Sequence, residues 1–396
     1  MPRILSLATL YPNAHTPRFG TFVARQMEAL AARPGWDVTV VNPIGVPPIA
    51  AGRYAPLAKA AIDGLENGVQ VYRPRFTLFP KYGGRFNPAM IARKVLPLAR
   101  KLHAEKPFDL LDAQFFYPDG PAVAKLAAEI DLPFSIKARG ADISHWGEIP
   151  YSRVAMLEAA EFARGILAVS DALRLDMGDM GMPVEAITVH YTGLDRKLFR
   201  PLDREQCRAR LAEQFEIALR PEEKLVTSVG ALIPRKGQAL LVDMIAGLPD
   251  VHLALVGRGD DREMLAAEAK RLGVAGRVHC LGGVDHSELP IVLSASNAMA
   301  LNSASEGLAN AWVEALACGT PVVISDVGGA RELVKSEAAG RIVPYDPGFD
   351  PAPFAEAVQD VLAADYDQAD VAASAAHFSW EANAAALAEY YEGLVA

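Results

Sequence analysis

Cysteine is scarce in this chain. Cys207, Cys280 and Cys318 stand far apart among 396 residues. An odd number with no metal-like pair argues against a disulfide framework or a zinc cluster. Reduced structural thiols in a cytoplasmic protein are the expectation. No stretch approaches the ~18–20 consecutive apolar residues of a membrane-spanning helix. The opening MPRILSLATLYPN reads as a strand stopped by Pro12, too short for a secretory hydrophobic region. A G-x-G-x-x-G is also missing: Gly20 stands alone where a first βα loop would approach a ligand, which weakens a dinucleotide-dehydrogenase reading. Tandem repeats and low-complexity tracts are lacking too, apart from alanine richness near 369–376.

Hydrophobic residues make up 51% and charged residues 22%, the fractions of an ordinary globular protein. The length exceeds what one core usually organises, so two domains are expected. The net charge of −9 is unevenly spread: residues 1–190 hold 21 Lys/Arg against 18 Asp/Glu, and 191–396 hold 18 against 30. No nucleic-acid partner is expected. Within 73–106, nine basic residues face one acid, Glu105. Phe76, Leu78, Phe79, Tyr82, Phe86, Met90, Ile91, Val95 and Leu96 are interleaved with them. That mixture suits an anionic membrane surface or acidic acceptor; a plain solvated face is the alternative.

Strand patterns fall at 4–10, 38–41, 69–72, 110–113, 134–138, 165–169 and 187–190. A helix opens at Thr21, with Phe22, Val23, Met27 and Leu30 on one side, so the chain begins with a βαβ unit. Tyr117, Asp119, Arg139 and Asp142 follow strand ends, where open α/β sheets bind ligands. A linker-like stretch, YTGLDRKLFRP at 191–201, precedes a polar helix at 203–213. A second series of strands follows at 225–229, 252–256, 278–281, 298–301, 321–324 and 341–343, and a last helix spans 380–394.

The most informative stretch is 303–333, SASEGLANAWVEALACGTPVVISDVGGAREL. It reads as loop, helix, strand, glycine loop and helix. Asn310 is expected to cap a helix over 311–318, which Gly319 and Pro321 stop. Val322, Val323 and Ile324 form a buried parallel strand, and Gly328-Gly329 turns the chain into a helix near Ala330. A helix start offers unpaired N–H donors to phosphate. Glu306 lies just before it and Glu314 one turn inside. Carboxylates do not attract phosphate, but they accept from sugar hydroxyls. One of the two is expected to hold ribose and the other a second sugar. Gly307, Leu308, Asn310 and Ala311 line the same loop and helix start. After strand 225–229, Gly230 gives close approach, and Arg235 and Lys236 can neutralise a diphosphate leaving group.

These residues resemble the E-x7-E motif of the retaining GT-B glycosyltransferases of family 4, with its NAW core, CGTPVV strand and GGxxE loop. The resemblance covers nearly the whole chain, most specifically 225–334. It implies an α/β fold of two Rossmann-like domains facing across a cleft: 1–190 on the acceptor side, 191–378 binding the nucleotide sugar, and a helix at 379–396 crossing back. It implies transfer from a nucleoside diphosphate sugar with retention, to a saccharide or lipid-linked acceptor of the cell envelope. No cofactor and no metal are implied. The enzyme would be cytoplasmic or peripheral on the inner membrane face. A nucleotide-sugar epimerase of the same architecture is the alternative. Gly20 falls in the family's G-x-F loop facing the donor diphosphate. Tyr117, Asp119 and Asp142 are expected on the acceptor side, and Glu306, Lys236 and Arg139 carry the catalysis.

The chain departs from the family pattern at two points. Ala231 replaces an arginine that meets pyrophosphate, and Arg139 stands where a histidine is usual. A guanidinium cannot act as a base at neutral pH but binds phosphate or carboxylate. Arg139 would therefore either replace the missing phosphate cation, with a neutral hexose donor, or read the carboxylate of a uronic acid. The first is favoured, because the loss at Ala231 needs an answer.

Overall fold

The computed structural model describes residues 2–52, 54–80, 83–348 and 350–395. It divides into two units. One runs from the N-terminus through Gly193 and regains the chain at Trp380; the other is Leu194–Ser379. Tyr191–Gly193 stays with the first unit for physical reasons. Asn383 Nδ2 donates to the Tyr191 carbonyl at 2.6 Å, and any side chain at Gly193 would strike the Trp380 indole, its Cβ falling 2.1 Å from a ring carbon.

The first unit is built on an eight-stranded sheet in the order β10-β9-β8-β7-β1-β2-β5-β4. Its strands are β1 (Arg3–Leu7), β2 (Asp37–Val41), β4 (Gly64–Glu66), β5 (Val69–Tyr72), β7 (Leu110–Ala113), β8 (Phe134–Ala138), β9 (Gly165–Ala168) and β10 (Ile187–Val189). All neighbours are parallel except β4 on β5. Strand β1 is central, with Leu5 opposite Thr39 on one side and Leu111 on the other. A separate parallel pair joins β3 (Ile44–Val46) to β6 (Arg75–Thr77). The runs Leu110–Ala113 and Phe134–Ala138 are buried throughout, because helices cover both faces of such a sheet. Helix Trp380–Val395 lies on helix Thr21–Ala31. There Leu387 and Tyr391 join Val23 and Met27 in one core, with the Trp36 and Tyr391 rings 6.2 Å apart.

The basic, aromatic segment 73–106 is largely this unit's own structure. Arg73 is buried and paired with Glu66. Helix Asn87–Glu105 buries Ile91, Ala92, Val95, Ala99 and Leu102, the 3–4 residue spacing of an amphipathic helix, and exposes Arg93, Lys94, Arg100 and Lys101. Phe76 is also core. Most of the interleaving is thus a helix with a solvent face; Phe79 and Phe86 remain exposed. Tyr82 lies outside the described residues.

The second unit is a six-stranded, all-parallel sheet in the order β13-β12-β11-β14-β15-β16. Its strands are β11 (Lys224–Val229), β12 (Val251–Val256), β13 (Val278–Gly282), β14 (Ala298–Leu301), β15 (Val322–Ser325) and β16 (Gly340–Val343). From β11 the chain moves outward to β12, and from β14 in the other direction to β15. The order therefore reverses between β11 and β14. The ends of those two strands form the topological switch point at which open α/β sheets take ligands. In the first unit the reversal lies between β1 and β7. Among the described residues no helix is long and apolar enough to cross a membrane.

Candidate active site

The second unit's switch point joins two loops far apart in sequence. The loop after β11 carries Lys236, and the loop after β14 carries Glu306. Lys236 Nζ donates to Glu306 Oε1, with the side chains 14% and 10% exposed. Backbone contacts fix this pairing. The Ala304 amide donates to the Arg235 carbonyl at 2.8 Å, and Gly329 donates to Gly307 at 2.7 Å. Arg235 Nη1 donates in turn to the Ser305 carbonyl. Gly328 has φ 52°, and a Cβ there would sit 2.1 Å from the Glu306 carbonyl oxygen. The second glycine loop therefore presses directly on the first, which no larger residue would allow.

Helix Asn310–Ala317 starts at this loop. Asn310 is its first helical residue rather than its cap. Ala309 occupies the cap position and no side chain bonds the helix start; the Ala309 carbonyl accepts from the Trp312 amide at 3.0 Å, and the Asn310 and Ala311 amides ahead of it have no partner within the helix. Gly307 and Leu308 are buried, and Ala311 is half-buried. Gly230 donates its amide to Val256 at 2.9 Å; a Cβ on it would only touch the Lys236 stem at 3.7 Å. Glu314 lies one turn into the helix, its side chain 13% exposed, with Oε1 3.0 Å from His286 Nε2. Sequence reasoning did not find His286, because a histidine in a turn 28 residues away carries no local signal.

In the first unit, Gly20 takes φ 74° at the head of helix Thr21–Ala31. A Cβ there would come within 2.4 Å of the Leu10 backbone, so the loop folds tightly over the end of β1. Arg139, half-buried after β8, is held from several sides. Its Nε donates to the Gln114 carbonyl at 3.2 Å, and Nη2 to Gln26 Oε1 at 3.3 Å and to Gln114 Oε1. Its guanidinium lies 5.2 Å over the Phe22 ring. Burial pulls its pKa down to about 10, partly offset by Asp112 and Asp142, so it stays charged at neutral pH.

Beneath Arg139 runs a polar network that the sequence did not reveal. Lys137 is fully buried in β8 and donates to Gln26 Oε1 at 3.0 Å and to His190 Nδ1. His190 Nε2 lies 2.9 Å from the Asn383 carbonyl. A carbonyl only accepts, so Nε2 carries the proton and Nδ1 is free to accept from lysine. Burial holds Lys137 well below the usual lysine range, and burial beside Lys137 lowers His190 to about 2. Gln26 Nε2 donates to Gln114 Oε1 at 3.1 Å, and Gln114 passes the chain to Asp112, which also accepts from Ser6 and Ser135. A lysine inside the apolar strand FSIKA was the available clue, since a buried amine must have partners.

The structure places the three residues expected on the acceptor side within the strand-end loops themselves. Asp119 is fully buried, and its Oδ2 accepts from the Thr9 amide at 3.0 Å; burial raises its pKa to about 8. Asp142 is fully buried and accepts from the amides of Phe116, Arg139 and Gly140 at 2.8–2.9 Å. Tyr117 is 1% exposed, with its hydroxyl on the Gly84 carbonyl at 2.7 Å. These side chains tie the strand-end loops together, because buried polar groups at such turns must satisfy backbone donors and acceptors. Among the described residues no three His, Cys, Asp or Glu side chains gather as metal ligands. Asp365-Tyr366-Asp367 has D-x-D spacing, but Asp365 closes one helix in a left-handed conformation and Asp367 caps the next.

Residues 210–378 match the family model of the glycosyl transferases group 1, and 19–193 match a glycosyl transferase 4-like domain. A GDP-mannose-dependent alpha-(1-6)-phosphatidylinositol monomannoside mannosyltransferase of Mycolicibacterium smegmatis is 31% identical over 264 residues, 63% of this chain and 67% of that protein. A D-inositol 3-phosphate glycosyltransferase of Mycobacterium marinum is 35% identical over 216 residues, 52% of this chain but only 44% of that protein. The match thus spans less than half of that relative. Among solved structures, sucrose-phosphate synthase of Thermosynechococcus elongatus superposes with TM-score 0.81 at 22% identity, covering 100% of this chain and 99% of that one. The Anabaena protein HepE in complex with UDP gives 0.75 at 22% identity, covering 99% and 100%. Both share the fold: α/β, with parallel sheets in two Rossmann-like halves.

Proposed function

Because this chain belongs to the group 1 glycosyl transferases, we propose that it moves a sugar from a nucleoside diphosphate sugar to a saccharide or lipid-linked acceptor, with retention of configuration. The observation that carries the site assignment is the Lys236–Glu306 pair at the second unit's switch point, beside a helix start without a side-chain cap. In this reading the donor's diphosphate takes the Asn310 and Ala311 amides at the start of helix Asn310–Ala317, and Lys236. Lys236 then offsets the charge that grows on the leaving phosphate as the glycosidic bond breaks, the role a cation plays elsewhere. Glu306, freed from Lys236, accepts from a hydroxyl of the transferred sugar. Glu314 accepts from the ribose. The acceptor oxygen attacks from the face the phosphate leaves, and its proton passes to that phosphate. No residue has to serve as a base and no metal is needed.

Arg139 is proposed as an anion-binding cation of the first unit, able to take a phosphate or a carboxylate, while Gln26 and Gln114 hold its Nε and Nη2. Relatives named for inositol phosphate and phosphatidylinositol mannoside acceptors support a polyol phosphate or glycolipid acceptor. Exposed Phe79 and Phe86, with Arg85 over the Phe86 ring at 4.6 Å and exposed Arg93 and Lys94 on the helix that follows, support contact with an anionic membrane bearing it. A thermal-shift panel of UDP-, GDP- and ADP-sugars tests the donor class. A ligand at 100 times its Kd adds about 2.7 kcal/mol, and no shift with any of them would refute the reading.

A further inference from the structure

We propose that His286 is a positioning residue that aims Glu314 at the nucleotide's ribose, an inference that rests on the assignment of Glu314 to that sugar. Glu314 ends a flexible side chain on a helix, and an unanchored carboxylate loses rotamer freedom when it must grip a hydroxyl. Here it is already anchored. His286 Nε2 lies 3.0 Å from Oε1, and an ionised carboxylate has no proton to give, so the hydrogen belongs to Nε2. One carboxylate oxygen is thereby taken, and Oε2 is left to accept from the ribose.

The imidazole is itself held. It is more than half exposed, yet its ring packs edge-on against buried Phe199, centroids 4.9 Å apart. The turn that carries it is closed by the Glu288 and Leu289 amides, which donate to the Asp285 carbonyl at 2.8 and 3.0 Å. Glu288 is paired with Arg210 at 3.0 Å, which draws that carboxylate toward another cation. What the His286–Glu314 hydrogen bond does is preset the geometry of a group that must bind a neutral sugar, the economy of preorganisation.

The test measures binding of UDP and GDP against their 2′,3′-dideoxy counterparts by calorimetry, giving a ribose-preference ratio. His286→Phe keeps a ring on Phe199 but has no N–H; His286→Gln restores an amide donor. The expected result is that His286→Phe lowers the ratio about three- to tenfold, the value of one charge-assisted hydrogen bond in part, and His286→Gln recovers most of it. Glu314→Gln should lower the ratio at least as far, with no further loss when His286→Phe is added. A wild-type ratio in His286→Phe beside a collapsed ratio in Glu314→Gln would overturn the role of His286 alone. Equal weakening of both nucleotide forms in His286→Phe would also overturn it. An unchanged ratio in Glu314→Gln would instead remove the ribose assignment beneath it.

Discussion

Lys236 and Glu306, 70 residues apart, meet as an ion pair with both side chains mostly buried. The cation proposed for a diphosphate is thus held by the carboxylate proposed for a sugar. Each satisfies the other, as a nearly desolvated charge requires. A nucleotide sugar offers both of them new partners at once, and a nucleoside diphosphate alone offers one only to Lys236.

That relationship gives an asymmetric expectation. Lys236→Ala should cut kcat about a hundredfold, the ~3 kcal/mol that one donor to a developing oxyanion supplies. Glu306→Gln should lower turnover while binding free nucleoside diphosphate no more weakly than wild type, because Lys236 no longer has to leave a carboxylate. Steady-state kinetics with calorimetry checks both; a Lys236→Ala enzyme within threefold of wild-type kcat would contradict the assignment.

Glu314→Gln should act in the opposite sense, weakening nucleotide binding with a smaller effect on kcat. Saturation kinetics separates the two glutamates: KM rises for Glu314→Gln and kcat falls for Glu306→Gln. Matching profiles would mean that the two carboxylates do not divide the donor between them.

The first unit's network predicts a stability effect. Gln26 Oε1 is the shared acceptor of Lys137 and Arg139. Gln26→Leu leaves both donors without it and brings a lysine and an arginine together across an apolar side chain. Each donor keeps its other partner, His190 or Gln114, but a lost hydrogen bond from a charged or buried group costs about 1–3 kcal/mol, so urea unfolding should show a loss of that size. Gln26→Glu should be tolerated better, since its carboxylate can accept from both. Equal stability of Gln26→Leu and wild type would show that the network is not built around Gln26.

Asp119 sets a pH dependence. Its carboxyl is raised by burial to about 8 in the folded protein from an ordinary value of 3.8. Between those values the folded state holds a proton that the unfolded chain has lost, so stability falls as pH rises through that window. Asp119→Asn keeps an oxygen for the Thr9 amide but cannot ionise. The melting temperature of Asp119→Asn should therefore fall less than that of wild type between pH 5 and pH 8; parallel curves would contradict a buried, protonated Asp119.

What was legible in the sequence was what local pattern controls. The stretch 303–333 showed its loop, helix, strand and glycine turn because Gly319, Pro321 and the run Val322–Ser325 are local signals, and its family wording is specific. Strands of four or more residues showed for the same reason. Strands Ile44–Val46, Gly64–Glu66 and Arg75–Thr77 are too short to display a period. Helix Asn87–Glu105 was hidden by Pro97 in its interior and by bases between its core positions. Polar residues at strand ends look alike in sequence whether they face a ligand, as Arg139 is proposed to, or knit loops from within, as Asp119 and Asp142 do. The partners of Arg139, Gln26 and Gln114, lie 88 positions apart in the chain and meet only in the fold.

The central claim is acceptor-dependent transfer with retention, and proton NMR of a nucleotide sugar with and without acceptor tests it most directly. The donor identified by thermal shift is followed alone, then with a phosphoinositol or glycolipid acceptor. The expected result is a stable donor when alone. With acceptor, nucleoside diphosphate should be released with a new glycosidic linkage of the donor's own anomeric configuration. A new sugar epimer forming without acceptor, or a linkage of inverted configuration, would contradict it.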